Sequence, residues 1–587
     1  MGIIKQLRQK MKPYVEALPE IFNYQIATKI FISIWIFLLG RIFQALLRSS
    51  GRVAVTSGDW KFLFTTWQGL AILLLGLISL FIYVAFDLNS KIVLSRQILT
   101  GKKVSLIECI REGFLSIGKF FNLRGIAVSL YIALIAPIIG VGVSISLTEG
   151  LYIPTFISSF IESSVLYSTL AGIVALIFLS IGIANLFILH GMIIDNMSIQ
   201  KASRKSRKLI EANWKDYLKQ NLLFILVAAI ILALVAIVFL YIPLRLIAVL
   251  SLPASVRRAL TVFVVVTGAV ISVLADLFST PLYLLKMTQL YYSYKQGRRY
   301  EFAAREKESH TAHKIAAVIG AAVMLAGVYF MTDNFDQVFP EDTDVKVIAH
   351  RGGGNEGNEN TESGLKAAWK AGAYGSEIDI QRTKDGYYVV NHDGDFARVA
   401  DESRKPEEMT LKEVKMLSVG GDPVPTYEEM LSTSKDRLIL FTELKGNTAD
   451  KQMADDAVRI VKQYHMEDQC VLISLKYDLI DYIETNYPEI QTGFLTFASF
   501  GKTAKLNCDY LGLEEESATK DAIDAIHKEG KKVLVWTANE KDSQKHFLCT
   551  EVDGLITDNV SQAINLNHEL EHRSDLDRIV DKIKTML

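Results

Sequence analysis

The run Lys346-Val-Ile-Ala-His350-Arg351-Gly352, with Ser376-Glu377-Ile-Asp379-Ile-Gln381 after it, decides how this chain folds. Each is a short apolar segment that turns polar and ionisable. Side chains alternate across a β-strand, so Glu377 and Asp379, two apart, project from one face and the isoleucines from the other. The pattern recurs downstream. Tyr387–Asn391 runs into His392-Asp393, Leu438–Thr442 into Glu443 and Lys445, and Gly554–Thr557 into Asp558, while Lys532–Trp536 ends on an aromatic ring. Further strands are expected at Lys346–Ala349, Ser376–Ile380, Val471–Ser474, Thr492–Thr496 and Tyr510–Leu513. Helices are expected at Thr361–Ala371, Ala449–Tyr464, Asp478–Asn486 and Thr519–Glu529. Such alternation suits a (β/α)8 barrel, which gathers its functional residues at the C-terminal ends of the strands. A doubly wound sheet alternates in the same way, and periodicity does not separate the two.

Upstream the texture changes. Seven apolar runs, near 30–47, 68–86, 126–147, 166–190, 221–242, 260–285 and 315–331, approach the length a helix needs to cross hydrocarbon. No small-residue cleavage site follows the first, which reads as an uncleaved signal anchor. A multi-span membrane domain is therefore expected over 1–331, a linker over 332–344, an α/β domain over 345–565 and a charged C-terminal helix or tail over 566–587. The formal net charge of −1 hides this division. Residues 1–331 carry 33 Lys/Arg against 15 Asp/Glu, and residues 332–587 carry 30 against 49. With ordinary Gly and Pro, 4 Cys and 50% hydrophobic residues, collagen-like, disulfide-scaffold and disordered classes are excluded.

The basic residues also orient the chain. The N-terminal segment and the loops 88–125, 191–220 and 286–314 hold 26 Lys/Arg, against 6 in the loops 48–67, 148–165 and 243–259. The positive-inside rule places the N-terminus in the cytoplasm, and seven spans then put residues from 332 onward outside. Arg41 and Asp276 fall within spans, where one base and one acid read as an ion pair or as snorkelling side chains rather than as a relay. The basic run Lys201–Lys208 reads as a topology signal, and no nucleic-acid partner is expected.

At the strand ends stand two histidines, His350 and His392, three carboxylates, Glu377, Asp379 and Glu443, and two cations, Arg351 and Lys445. Crowded carboxylates repel unless a cation neutralises them, and all-oxygen donors favour Ca2+ or Mg2+ over Zn2+. Paired histidines can work as acid and base near neutral pH. Arg351 and Lys445 can balance phosphate charge, one as a fork and the other as a point charge. Together these groups describe phosphodiester cleavage. Singly each is ordinary. Asn360 and Thr361 look like helix N-caps, Glu443 with Lys445 like a surface ion pair, and Gly352-Gly353-Gly354 lacks the lysine of a P-loop.

Taken in order, the motifs resemble the glycerophosphodiester phosphodiesterases. They are His350-Arg351-Gly352, Glu359-Asn360-Thr361, Glu377-Ile-Asp379-Ile-Gln381, Thr383-Lys-Asp385-Gly386, His392-Asp393, Pro425-Thr426-Tyr-Glu428-Glu429, Glu443-Leu-Lys445, Val535-Trp536-Thr537-Ala-Asn539 and Asp553-Gly-Leu-Ile-Thr557-Asp558. The resemblance spans about 345–560, and the first half resembles the multi-span domain that precedes this enzyme in some bacterial members. It implies a multi-span α-helical membrane domain followed by an α/β TIM (β/α)8 barrel. It further implies one divalent cation, Ca2+ or Mg2+, on Glu377, Asp379 and Glu443, with His350 and His392 as the acid–base pair. Arg351 and Lys445 would contact the substrate phosphate and Trp536 would wall the glycerol. The implied reaction yields glycerol 3-phosphate and an alcohol, through attack by the neighbouring glycerol hydroxyl. The chain departs from the family at Asn358 and Val560, where Pro is common, and at Leu475, where Phe is usual.

A multi-pass, membrane-anchored enzyme with an external catalytic domain is thus expected. Its substrates would be glycerophosphodiesters or glycerophosphate-containing envelope polymers, with membrane lipids as neighbours. The alternatives are a phospholipase-like enzyme acting on intact lipids or lysolipids, or a lipid-binding or transport role for the membrane half. Cys109, Cys470, Cys508 and Cys549 read as free thiols, with no obligatory disulfide.

Overall fold

A helix runs past its apolar stretch until a cap or a breaker stops it, and the N-terminal half shows this repeatedly. The computed structural model describes residues 11–120, 122, 161, 164–303, 311–340 and 344–586. Among the described residues six helices are long and apolar enough to cross a membrane: Met11–Ser49, Trp67–Leu99, Val165–Ile193, Ile199–Val249, Ala254–Gln296 and Lys314–Asp333. Each contains one of the expected spans, and the span expected at 126–147 lies outside the described residues. Ala254–Gln296 carries Lys286 and Lys295 beyond its apolar stretch and stops at Gly297, whose φ of 66° makes a left-handed C-cap. Arg41 and Asp276 are both exposed.

The chain divides into two compact units, and the second combines Phe335–Leu587 with Phe43–Gly69. In this second unit eight strands run parallel: β1 (Lys346–Ala349), β2 (Gly375–Arg382), β3 (Ile439–Leu444), β4 (Cys470–Ser474), β5 (Thr492–Thr496), β6 (Tyr510–Glu514), β7 (Lys532–Trp536) and β8 (Gly554–Thr557). Each pairs with the next, and β8 pairs with β1, which pairs with β2. An open doubly wound sheet would leave two edges; this sheet closes and leaves none. The fold is a TIM barrel. Of the nine expected strands, the one at Tyr387–Asn391 is not a stave. Tyr388–Val390 pairs antiparallel with the end of β2 and forms a spur.

Alternation along the staves sorts the apolar residues into two layers. Ile348, Phe441, Ile473, Leu495, Leu534 and Ile556 fill the interior. Val347, Ile378, Leu440, Leu472, Leu511 and Val533 belong to the outer layer, with residues such as Leu365 and Val458 of the surrounding helices. Burial of each such side chain contributes about 1.5–3 kcal/mol. The helices Glu362–Ala371 and Lys451–Gln463 start where Thr361 and Asp450 accept hydrogen bonds from the Gly364 and Met453 amides. The four cysteines are free and buried.

Candidate active site

Carrying the inward parity of each stave past its last apolar residue reaches the ionisable set. His350 follows Ile348 by two, Glu443 follows Phe441, Trp536 follows Leu534 and Asp558 follows Ile556. On β2 the same face holds Glu377 and Asp379, because Ile378 and Ile380 belong to the outer layer. One covalent rule, two residues per strand repeat, aims them all at one end of one cylinder.

Glu377, Asp379 and Glu443 are buried, and each offers an oxygen within 4.8 Å of the others. Asp379 and Glu443 are direct partners in the β2–β3 register. Lys445 Nζ lies between them, donating to Asp379 Oδ1 at 2.9 Å and Glu443 Oε2 at 3.0 Å. Asn360, placed at φ 54°, donates to Asp379 Oδ2 at 2.9 Å. It is thus a site residue, and Thr361 alone makes the helix cap. The Arg351 amide donates to Glu377 Oε2 at 2.8 Å.

Three carboxylates meet one ammonium here, and the charge does not balance. Burial, then Asp379 and Glu443, hold the Glu377 carboxyl well above the usual range. Burial also pushes Glu443 up to about 7 against the pull of Lys445. Burial opposes the charge on Asp379 too, but Lys445, His392 and Asn360 prevail and keep its carboxyl low. Burial pulls Lys445 down, and the acids around it more than reverse that. The Oδ1 atom of Asn360 is buried with no hydrogen-bond partner. Clustered oxygens, surplus negative charge and a spare neutral oxygen fit a hard divalent cation.

Each histidine has its own carboxylate. His392 Nδ1 lies 2.7 Å from Asp393 Oδ1, and Arg351 Nη2 lies 2.8 Å from His392 Nε2. A guanidinium can only donate, so Nε2 accepts and the ring proton sits on Nδ1, toward Asp393. Burial holds this imidazole below its ordinary pKa, although Asp379 pulls the other way. His350 Nδ1 lies 2.8 Å from Asp558 Oδ1. Asn539 clamps Asp558 from both sides, donating to Oδ2 at 2.6 Å and accepting from the Asp558 amide at 2.8 Å. Trp536 stands apart from these contacts, with its indole N–H buried and unpartnered.

Sequence reasoning missed a bracing network around His392. Arg398 donates to Asp393 Oδ2 at 2.6 Å and to both oxygens of Glu359 at 2.7 and 2.8 Å. Arg351 reaches Glu359 at 3.3 Å. Burial opposes ionisation of Glu359 and Asp393, yet the Arg398 guanidinium holds both carboxyls below their usual range. The adjacency of His392 and Asp393 was the one local signal. Nothing near His350 in the chain marks Asp558 or Asn539 as its partners. Replacing Asp558 by asparagine is expected to lower kcat roughly 10–1000-fold with little change in KM. The asparagine amide would donate to Nδ1 and force the other tautomer, and a steady-state pH profile reads the change.

The chain matches two family models. The one described as the glycerophosphoryl diester phosphodiesterase family covers residues 350–562. The one described as the membrane domain of glycerophosphoryl diester phosphodiesterase covers residues 7–331. A glycerophosphodiester phosphodiesterase of Caldanaerobacter subterraneus subsp. tengcongensis is 27% identical over 234 residues, 38% of this chain and 96% of that protein. One from Bacillus altitudinis is 25% identical over 243 residues, 38% of this chain and 99% of that protein. A solved structure of an Oleispira antarctica phosphodiesterase in complex with the product sn-glycerol-3-phosphate is 24% identical, covering 38% of this chain and 96% of that one at a TM-score of 0.36.

Proposed function

Because the chain belongs to the glycerophosphoryl diester phosphodiesterase family and carries that family's membrane domain, we propose that it is a metal-dependent hydrolase. It would convert glycerophosphodiesters to glycerol 3-phosphate and an alcohol at the mouth of its barrel. The observation that carries this is the buried trio Glu377, Asp379 and Glu443 at the same strand ends as two histidines, each held by its own carboxylate. A divalent cation, Ca2+ or Mg2+, held by the trio would supply positive charge to the phosphate and hydroxyl oxygens.

The residues themselves divide the remaining work. Arg351 and Lys445 meet the phosphate charge as it develops, and Arg351 turns from His392 to the phosphate when substrate binds. Trp536 walls the glycerol and offers its unpartnered indole N–H. One histidine takes the proton from the glycerol hydroxyl that attacks phosphorus, and the other protonates the departing alkoxide. Water then opens the cyclic phosphate in the reverse sense. His392 is held in the state a base needs, neutral with Nε2 as acceptor. Substrates include deacylated phospholipids and glycerophosphate-containing envelope polymers.

The purified full chain is expected to release glycerol 3-phosphate from glycerophosphocholine, to lose this activity with EDTA, and to regain it with Ca2+ or Mg2+. Release that is indifferent to EDTA would overturn the metal assignment. The N-terminus is cytoplasmic and the barrel external in this reading. Support comes from loop charge and from the strand Ala54–Thr56, which lies between the first two apolar helices and pairs with Ser499–Gly501 after β5. If the two helices cross the membrane, this reading keeps those segments on one side of it whatever the number of spans further on. In intact cells a membrane-impermeant thiol reagent is expected to label Asp344→Cys and not Lys208→Cys; the opposite pattern would reverse the orientation.

A further inference from the structure

A segment remote in sequence is built into the barrel mouth. Ala54, Val55 and Thr56 pair with Gly501, Phe500 and Ser499 in the loop after β5, at the end of the barrel that carries the ionisable set. Lys502 N extends the ladder to Val53 O at 3.0 Å. Ala54 is 4% exposed and belongs to the outer core layer of the barrel. The turn that follows is internally fixed. Asp59 accepts from the Thr56 amide at 2.8 Å and from Arg52 Nη1 at 2.5 Å, and the Arg52 guanidinium lies 4.6 Å over the Phe62 ring.

This turn reaches the staves beside the site. Ser57 Oγ is 3.3 Å from Thr496 Oγ1, the last residue of β5. A Cβ on Gly58 would stand 3.3 Å from the carbonyl oxygen of Leu475, which follows β4. Glu443 pairs with Ile473, so Leu475 is level with Lys445 on the neighbouring stave. On its other side the paired loop meets the end of an apolar helix. The Phe500 ring packs edge-on against Phe43 at 5.1 Å, and a Cβ on Gly501 would stand 3.1 Å from Leu47 Cδ1. Phe43 and Leu47 lie in the last turns of Met11–Ser49, a helix long and apolar enough to cross a membrane, whose end would lie near the interface if it does. Phe64 and Trp67, farther along the segment, are 60% and 65% exposed, as suits aromatic side chains at that boundary.

We propose that residues 54–59 form a fixed wall of the substrate mouth, with Ser57 and Gly58 as specificity-determining residues, and that this wall sets the entrance at the bilayer surface for glycerophosphodiesters whose alcohol is anchored in the membrane. The proposal rests on the phosphodiesterase reading above and names its substrate class. The glycerol phosphate end has to reach the carboxylates, while the alcohol stays at the mouth. A wall that continues into the exposed ring of Phe500, backed by the buried Phe43 and Leu47, favours an alcohol that carries an acyl chain. A freely diffusing alcohol gains nothing from it.

The test uses the full chain in phosphatidylcholine vesicles and two substrates with the same glycerol phosphate group. One is a monoacylglycerol ester of sn-glycerol 3-phosphate held in the bilayer, cleaved by water to sn-glycerol 3-phosphate and monoacylglycerol; the other is sn-glycero-3-phosphoglycerol in solution, cleaved to sn-glycerol 3-phosphate and glycerol. The unaltered chain is expected to prefer the vesicle-borne substrate by about 10-fold or more in kcat/KM, and Gly58→Leu to shrink that ratio about 10-fold. Ala54→Asp, which places a carboxylate in the buried strand, is expected to do the same. A misfolded variant is told apart by cysteines at the directly opposed Thr56 and Ser499, which are expected to cross-link in the full chain while the preference is kept. A ratio unchanged by both substitutions, or failure to cross-link, would overturn the wall. Cleavage of neither substrate by the unaltered chain would overturn the phosphodiesterase reading and the proposal with it, whereas cleavage without preference overturns the proposal alone.

Discussion

Replacing His392 by alanine in the full chain is expected to lower kcat for glycerol 3-phosphate release about 10²–10⁴-fold. In the proposed mechanism the imidazole is a base through Nε2, which accepts from Arg351 in the free chain; a proton on Nδ1 toward Asp393 and burial that disfavours the cation keep it in the form a base needs. The fold should not suffer. Asp393 keeps its bond to Arg398, Glu359 keeps Arg398 and Arg351, and no buried charge is left unpaired. A thermal transition near that of the unaltered chain with activity collapsed is therefore the expected pair of results. Retained activity would remove His392 from the chemistry, and partial rescue by added imidazole would reinforce its place there.

Glu377→Gln is expected to move activity and stability in opposite directions. The amide keeps an oxygen for the Arg351 N–H but cannot ionise, so it relieves the burial and crowding that oppose charge on Glu377. Activity should fall roughly 100-fold or more, as a cation ligand is lost. Without added metal the barrel should instead melt higher, by about 2–4 °C for each kcal/mol of repulsion relieved. The sign follows from linkage. Folded-state carboxyls raised above their unfolded value bind protons that the unfolded chain releases, so their stabilising contribution is whole below the ordinary value of 4.5 and is lost as pH rises through about 7 for Glu443. Glu377, held well above the usual range, acts in the same sense. Calcium or magnesium at 100 times its Kd should restore about 2.7 kcal/mol to the unaltered chain. The variant should gain less. Melting curves across pH with and without metal check all of this, and a variant that melts lower without metal would mean that the trio is not repulsive.

How far the chain could be read depended on the distance over which each feature is decided. Glu377 and Asp379 needed only the two-residue period of an extended strand, and Glu443 with Lys445 the same. Helix starts at Thr361 and Asp450 are equally local. The strand at Tyr387–Asn391 had the right apolar texture, but pairing decided its place, and it became a spur on β2. Asn360 looked like a cap beside Thr361; its backbone at φ 54° turns it instead to Asp379, 19 residues away. Arg398 carried no pattern at all, because its value lies in bridging Asp393 and Glu359.

The sequence by itself determined which residues are apolar, which face of each stave carries a carboxylate, and which runs can cross a bilayer, since these follow from covalent periodicity and side-chain solvation. Only the tertiary structure decided closure of the sheet, through the pairing of β8 with β1 and β1 with β2. It alone matched His350 with Asp558 across 208 residues, and set Ser57 against Thr496 across 439. Such pairings depend on loop closure and register summed over the whole barrel, and no local rule of propensity or spacing encodes them.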